Sequence, residues 1–309
     1  MSRLILVPQY PTKLRYQEWW WVEFPKQFKQ YFDEVLVLGR NSGPFITASG
    51  DKFTPMAISI QFEAQQIKDY SKLELRKDDI LLLCDLSFPG FFANVLFHKR
   101  PNKCFAICHA TSKNAYDYFQ KDRRIKYPIE KATAKLFNTV FVASEYHAKK
   151  LGWLNIKVQA LPMPPIKPVF SEKKQYDIVN VSRPGLQKRN FKIESYIQRK
   201  FGLKVRTPPN FETWEQYYEF LGASKILLIT AKEETFGYQV FDAIINGCIP
   251  IAPNAFSYPE FLPKNYLYNS KEELAEIILK VFHRKLDPLS TPDFLDFYYE
   301  ELYYTMQFD

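Results

Sequence analysis

The chain has 309 residues, 46% of them apolar, 17% aromatic and 25% charged, and that composition excludes a disordered polymer. Its 42 Lys and Arg against 34 Asp and Glu leave a formal charge of +8, which favours an anionic partner. A single core seldom grows past roughly 250–300 residues, so two domains are expected.

Along the chain, short apolar runs alternate with amphipathic stretches of helical length. The runs Leu4–Val7, Val35–Leu38, Ile80–Cys84, Cys104–Cys108, Val140–Ala143 and Val158–Leu161 predict strands, and 16–32, 57–70, 128–137 and 144–151 predict helices. Such alternation predicts a parallel sheet covered by helices, a first Rossmann-like domain over residues 1–163. Residues 162–168 hold four prolines, which neither a helix nor an interior strand accommodates, and predict the linker. The alternation then restarts, with strands at Ile178–Val181, Leu203–Val205, Ile226–Ile229 and Ile249–Ile251 and helices at 190–201, 212–222, 237–246 and 271–284. A second such domain is expected over 164–287. Beyond Pro288 and Pro292, the aromatic stretch Asp293–Met306 predicts a final helix, residues 288–309 packing back on the body. The fold class is α/β, two doubly wound domains facing a central cleft.

Other signals set the compartment. Cys84, Cys104, Cys108 and Cys248 each sit in an apolar run without a Cys-x-x-Cys pair, which fits a reducing setting. No signal peptide is recognisable, and Leu86–Phe97, broken by Pro89 and Gly90, is too short to span a bilayer. A cytoplasmic location is expected, the host cytoplasm for a viral protein.

In open α/β sheets, ligands bind beyond the carboxyl ends of the strands. Those positions hold Gln9 and Tyr10, Asp85, His109, Ser144 and Glu145, Arg183 to Lys188, and Lys232 to Gln239. The segment Glu233-Glu234-Thr235-Phe236-Gly237-Tyr238 follows a strand and opens a helix, so its amides form an anion site and Gly237 lets the backbone approach a ligand. Asp242, one turn and a bit further on, is placed to accept from a ribose diol; the alternative is a plain surface charge. Arg183 and Lys188 also follow a strand, and two cations there suit a diphosphate, although an ordinary basic loop reads the same way.

Together these residues resemble the retaining GT-B glycosyltransferases of family 4, the glycogen-synthase-like class. That family carries E-x-F-G-x-x-x-x-E-A followed by G-x-P. Here Glu234-Thr235-Phe236-Gly237 leads to Asp242-Ala243 and then Gly247-Cys248-Ile249-Pro250, with Asp in place of the second Glu. Arg183 and Lys188 match its Arg and Lys five positions apart, and Ser144-Glu145 and Leu161-Pro162 match its signposts before the linker. The resemblance implies a nucleotide diphosphate sugar donor, UDP-linked, with no metal and no cofactor. Arg183 and Lys188 would bind the diphosphate, Asp242 the ribose and Glu234 the sugar. The amides of Phe236, Gly237 and Tyr238 would touch sugar and phosphate, and Pro209 and Asn210 lie where the nucleobase is read. His109 stands where the family often has a histidine near the reacting sugar; the alternative is a structural histidine at a strand end. A metal cluster of Cys104, Cys108 and His109 is discounted, because strand alternation turns His109 to the opposite face.

For the acceptor, the family's Gly-rich loop after the first strand is replaced by an aromatic and basic segment containing Tyr10, Lys13 and Arg15, followed by Trp19-Trp20-Trp21. One or two of these indoles should pack and another be exposed. Lys13/Arg15, Lys99/Arg100/Lys103, Lys113, Lys121/Arg123/Arg124/Lys126 and Lys149/Lys150 are candidate patches for nucleic acid or for an anionic membrane. The compact, basic chain resembles small viral glycosyltransferases that decorate hydroxymethylated pyrimidines in DNA. A lipid or cell-surface glycan acceptor, a catalytically silent nucleic-acid-binding module, and a nucleotide-sugar hydrolase or epimerase stay open.

Overall fold

The structure, a computed structural model, describes residues 2–40, 46–47, 56–86, 90, 92–115, 123–159, 167–182, 188–293 and 297–308, with the backbone alone at 46–47 and 56–59. The chain divides into two compact units, Met1–Pro164 with Asp296–Asp309, and Pro165–Leu295.

The first unit runs β1 (Arg3–Val7), β2 (Thr12–Lys13), α1 (Tyr16–Phe28), β3 (Glu34–Val37), β4 (Ile46–Thr47), α2 (Met56–Ser71), β5 (Asp79–Leu83), α3 (Phe92–Val95), β6 (Lys103–Cys108), α4 (Arg123–Ala134), β7 (Thr139–Val142), α5 (Glu145–Leu151) and β8 (Ile156–Val158). Six strands form one parallel sheet in the order β3-β1-β5-β6-β7-β8, while β2 and β4 make a small separate pair. β1 and β5 are buried at every position, as strands covered on both faces must be, and so they read as unbroken apolar runs. Arg3 clasps Asp79 through Nε (2.8 Å) and Nη2 (2.6 Å), stapling the amino ends of these two strands. The chain adds β3 on one side of β1 and β5 to β8 on the other. The switch point therefore lies between β1 and β5, with the loops after their carboxyl ends beside it.

The second unit runs β9 (Tyr176–Val179), α6 (Phe191–Phe201), β10 (Val205–Arg206), α7 (Trp214–Gly222), β11 (Ser224–Leu228), α8 (Tyr238–Ile245), β12 (Ile249–Pro253), α9 (Tyr258–Phe261), a 3₁₀ turn at Lys264–Tyr266, β13 (Leu267–Tyr268) and α10 (Lys271–Phe282). Its sheet, again parallel, has the order β10-β9-β11-β12-β13, with the switch point between β9 and β11. Ile178, Ile226, Leu228 and Ile251 from the sheet pack with Val240, Ile244, Leu274 and Ile278 from the helices. Local signals set the helix ends. Asn190, Thr213 and Ser270 cap α6, α7 and α10 by accepting from backbone amides, and left-handed Gly202 stops α6.

After the second unit, α11 (Tyr298–Phe308) rejoins the first. Phe24 and Phe28 of α1 meet Tyr299 edge-on, Tyr31 stacks on Tyr303, and Lys157 donates to Thr305 at 2.7 Å. Burial of Leu302 and Met306 contributes roughly 1.5–3 kcal/mol each.

Several elements differ from expectation. The last strand of the first sheet is Ile156–Val158 rather than 158–161, and the helix from residue 16 ends at Phe28. The terminal helix starts at Tyr298, and the β10 strand begins at Val205, two residues later than its apolar run. The short elements β2, β4, α3, α9 and β13 carry no periodicity to read. Of the three successive indoles, Trp19 and Trp20 are buried and Trp21 is half-buried against Phe62. Among the described residues no helix is long and apolar enough to cross a membrane.

Candidate functional site

In the second unit, the loops following β9 and β11 flank the switch point, and the sequence motifs fall on them. Gly237 is the N-cap of α8 with φ +92°, a left-handed conformation that favours glycine, and it offers no side-chain cap to the first amides of the helix. A Cβ at 237 would sit 3.0 Å from Cε1 of the buried Tyr258, so the backbone here is also closely backed. Ser257 Oγ donates to the Phe236 carbonyl at 3.0 Å, and the Phe236 ring is buried between Phe241 and Phe261. Phe236 therefore contributes through its backbone, while Tyr238 is half-buried on the first turn. Lys188 Nζ donates to Glu234 Oε2 at 2.9 Å, with both side chains partly exposed, and Glu234 Oε1 accepts from the Thr235 amide at 3.1 Å. A cation, a carboxylate and the start of a helix thus converge within one loop pair. Arg183 lies outside the described residues, as do 184–187.

A buried polar network underlies this loop pair. The amide nitrogen Nδ2 of fully buried Asn180 donates to Glu194 Oε1 (2.9 Å) and its Oδ1 accepts from the Ser182 amide (3.0 Å). The Asn190 amide donates to Thr230 Oγ1 at 2.8 Å, and Arg189 forms a two-pronged pair with Glu194, 2.8 Å at Nε. Ser182 Oγ reaches across to Gln239 Oε1 at 3.0 Å, tying the β9 loop to α8. Isolated buried charges are expensive, and the complete pairing removes that penalty while fixing both ends of the segment that carries Lys188.

Asp242 is not a surface charge. It is 4% exposed, and its carboxylate accepts from Tyr217 at 2.9 Å and from Tyr218 at 3.3 Å. Burial pushes its carboxyl up to about 7, against the two tyrosine hydrogen bonds that pull it down. Asn210, like Pro209, is exposed in the loop after β10, and Phe211 from that loop packs on Tyr217. Neither tyrosine carried a sequence signal, because their role depends on how α7 turns toward α8.

In the first unit, His109 ends β6 and is buried, stacked on Tyr16 (4.4 Å between centroids, 12° between planes) and tilted against Trp20 at 4.8 Å. Burial, and secondarily His147, press its imidazole down to about 3. His147, in the first turn of α5, is fully buried, neither ring nitrogen has a hydrogen-bond partner among the described residues, and burial likewise holds it at about 3. Ser144 caps that helix by accepting from the His147 amide at 3.2 Å. Glu130 is fully buried and accepts from Thr111 Oγ1 (2.8 Å) and the Ser112 amide (2.9 Å), holding the loop after His109. Sequence reading missed His147 and Glu130, since neither stands at a strand end.

Tyr10 is buried edge-on against Phe62, whereas Lys13 on β2 and Arg15 at the α1 N-cap are half-buried. Between them Leu14 takes φ +58°, its amide held by Glu18 Oε2 at 2.7 Å. Several residues of the basic patches are spent on internal ties: Arg100 on the Leu136 carbonyl, Lys103 on Gln307, and Lys113 on the Lys150 carbonyl. Arg123, Arg124 and Lys149 are exposed, and Lys121 lies outside the described residues. Among the described residues no three His, Cys, Asp or Glu side chains come together to hold a metal. Cys104 and Cys108 lie in the core, where burial raises the Cys104 thiol to about 12.

No family profile matches the chain. An 81-residue stretch is 40% identical to the tRNA-queuosine alpha-mannosyltransferase of Drosophila melanogaster, covering 26% of this chain and 21% of that protein. Another, of 139 residues, is 27% identical to the protein named glycosyltransferase 41 of Sulfolobus islandicus filamentous virus, covering 41% of this chain and 42% of that one. The chain thus matches less than half the length of either relative. In fold, it is similar to sucrose-phosphate synthase from Thermosynechococcus elongatus, with a TM-score of 0.65 at 12% identity over 98% of this chain and 95% of that one. Anabaena HepE in complex with UDP and glucose gives 0.63 at 13% identity, over 99% and 97%. The chain has the fold of the GT-B glycosyltransferases, two α/β units each built on a parallel sheet flanked by helices.

Proposed function

We propose that this chain is a metal-independent, retaining glycosyltransferase that moves a sugar from a nucleoside diphosphate sugar, UDP-linked, to a hydroxyl on a nucleic acid, a hydroxymethylated pyrimidine in DNA. The observation that carries the reading is the Lys188–Glu234 pair set against left-handed Gly237 at the switch point of the second unit. As the bond from the sugar carbon to the diphosphate breaks, negative charge builds on the leaving oxygen. Lys188, Arg183 and the first amides of α8 are the groups that take it up. Glu234 accepts from sugar hydroxyls, and His109, neutral at working pH, contributes a sugar contact. The acceptor oxygen bonds to the same face of the sugar carbon, and its proton passes to the departing diphosphate. Asn210 is assigned to the nucleobase; Lys13 and Arg15, with the segment around Tyr10, are assigned to the acceptor. Support for a nucleic-acid acceptor comes from the name of the Drosophila relative and from the +8 charge.

The test is thermal melting with UDP, GDP and their hexose conjugates, on the wild type and on Lys188→Ala, followed by transfer of labelled sugar to hydroxymethylated DNA. A donor should raise the wild-type melting temperature by several degrees and leave Lys188→Ala unmoved. If no nucleotide shifts the wild type, the donor reading fails.

A second acceptor reading has its own observation. On α4, Ile125 and Ile129 are 69% and 46% exposed among exposed Arg123, Arg124 and Lys131, with Lys135 just beyond the helix, while Glu130 is buried. Such a face suits an anionic bilayer and a lipid acceptor. Sedimentation with anionic vesicles, and sugar transfer to lipid but not to DNA, would favour it.

A further inference from the structure

The carboxylate assigned to the donor ribose is closed off. Asp242 is 4% exposed, Tyr218 on its Oδ1 is fully buried, and Tyr217 on its Oδ2 is half-buried, the least covered of the three. Tyr217 is held in place from both sides, edge-on to Phe211 at 5.6 Å and to Trp214 at 6.0 Å, on the element that follows the carboxyl end of β10. Its hydroxyl gives its proton to Asp242 Oδ2, so the phenol oxygen keeps its lone pairs for another donor. Donation to the ionised carboxyl, the form present above pH 7, makes that oxygen a better acceptor. Asp242 lies five residues beyond Gly237, about 7.5 Å along the helix at 1.5 Å per residue, a span comparable to that from a terminal phosphate of a nucleoside diphosphate to its ribose hydroxyls.

We propose that Tyr217, and not Asp242, contacts the ribose hydroxyls of the donor, with Asp242 acting through it as a positioning residue. The proposal rests on the nucleotide-sugar reading above. A phenol standing in front of an aspartate also supplies the reach that the missing methylene of a glutamate would have given.

The experiment measures, by titration calorimetry on the full chain, the affinities of UDP, GDP and ADP and of their 2′-deoxy counterparts. It is run on the wild type, Tyr217→Phe and Asp242→Asn. The wild type should prefer its ribonucleotide by about tenfold, the worth of one hydrogen bond. Tyr217→Phe should bring that ratio close to one with the deoxynucleotide affinity unchanged, which also reports that the variant is folded. Asp242→Asn should keep part of the preference, because the asparagine oxygen still accepts from the phenol. A ratio untouched by Tyr217→Phe, or abolished by Asp242→Asn alone, overturns the proposal and returns the ribose to the carboxylate. Equal binding of ribo- and deoxynucleotides by the wild type overturns it as well. A wild type that binds none of the six removes the donor-site reading itself, so the two failures are distinct.

Discussion

His109 and His147 are imidazoles held neutral by burial, each with its titration moved from the ordinary 6.5 to about 3. Above pH 6.5 both are neutral whether the chain is folded or not. As the pH falls below 6.5 the unfolded chain takes up two protons that the folded chain refuses, so stability is lost toward pH 3, by up to about 1.4 kcal/mol per pH unit for each histidine. Asp242 acts in the opposite sense. Its folded value, about 7, lies above the ordinary 3.8, so its contribution is present below 3.8 and is lost as the pH rises through 7. Urea unfolding should therefore find Asp242→Asn more stable than the wild type at pH 8 and steeper in its loss of stability below pH 6, while His147→Gln flattens that acid limb. A wild type whose stability is level from pH 7 to pH 4 and parallels Asp242→Asn would contradict these assignments. Lys188, Glu234 and Gly237 were legible in the sequence because motif spacing puts each at a strand-to-helix turn, Lys188 after β9 and the other two after β11. Tyr217 and Glu130 were not, since their importance comes from partners on other elements, and His147 was not, since it comes from burial.

At the scale of elements, the apolar runs gave the central strands because burial on both faces leaves no polar alternation to confuse them. The two-residue strands β2, β4, β10 and β13 are too short for any period, and β10 was placed two residues early on the strength of Leu203 and Val205. The end of α7 shows what packing adds to such patterns. A Cβ on Gly222 would lie 2.0 Å from the Val169 carbonyl oxygen, backbone that is itself tied down by Asn246 at 2.7 Å. In an open helix, Gly→Ala gains about 1 kcal/mol. Here the overlap reverses the sign, and Gly222→Ala should lower the stability of the second unit by about 1–3 kcal/mol in chemical denaturation. A stabilised variant would mean that the 167–170 segment yields.

At the scale of the molecule, each unit has its own sheet, switch point and core, so the chain should unfold as two units. The division follows from the restart of the alternation after the prolines. Nothing in the sequence told which unit the final aromatic stretch would join. Deleting residues 297–309 should expose the faces of Phe24, Phe28 and Tyr31 and lower the first unit's transition in calorimetry, leaving the second unit's where it was. A shift confined to the second unit would place the helix's contribution elsewhere. The return of α11 also sets an order of events on the ribosome. The second unit is contiguous and can close as soon as it emerges, whereas the first, begun earlier, lacks α11 until the whole of the second has been made. Of the two units, the one begun first is the one closed last.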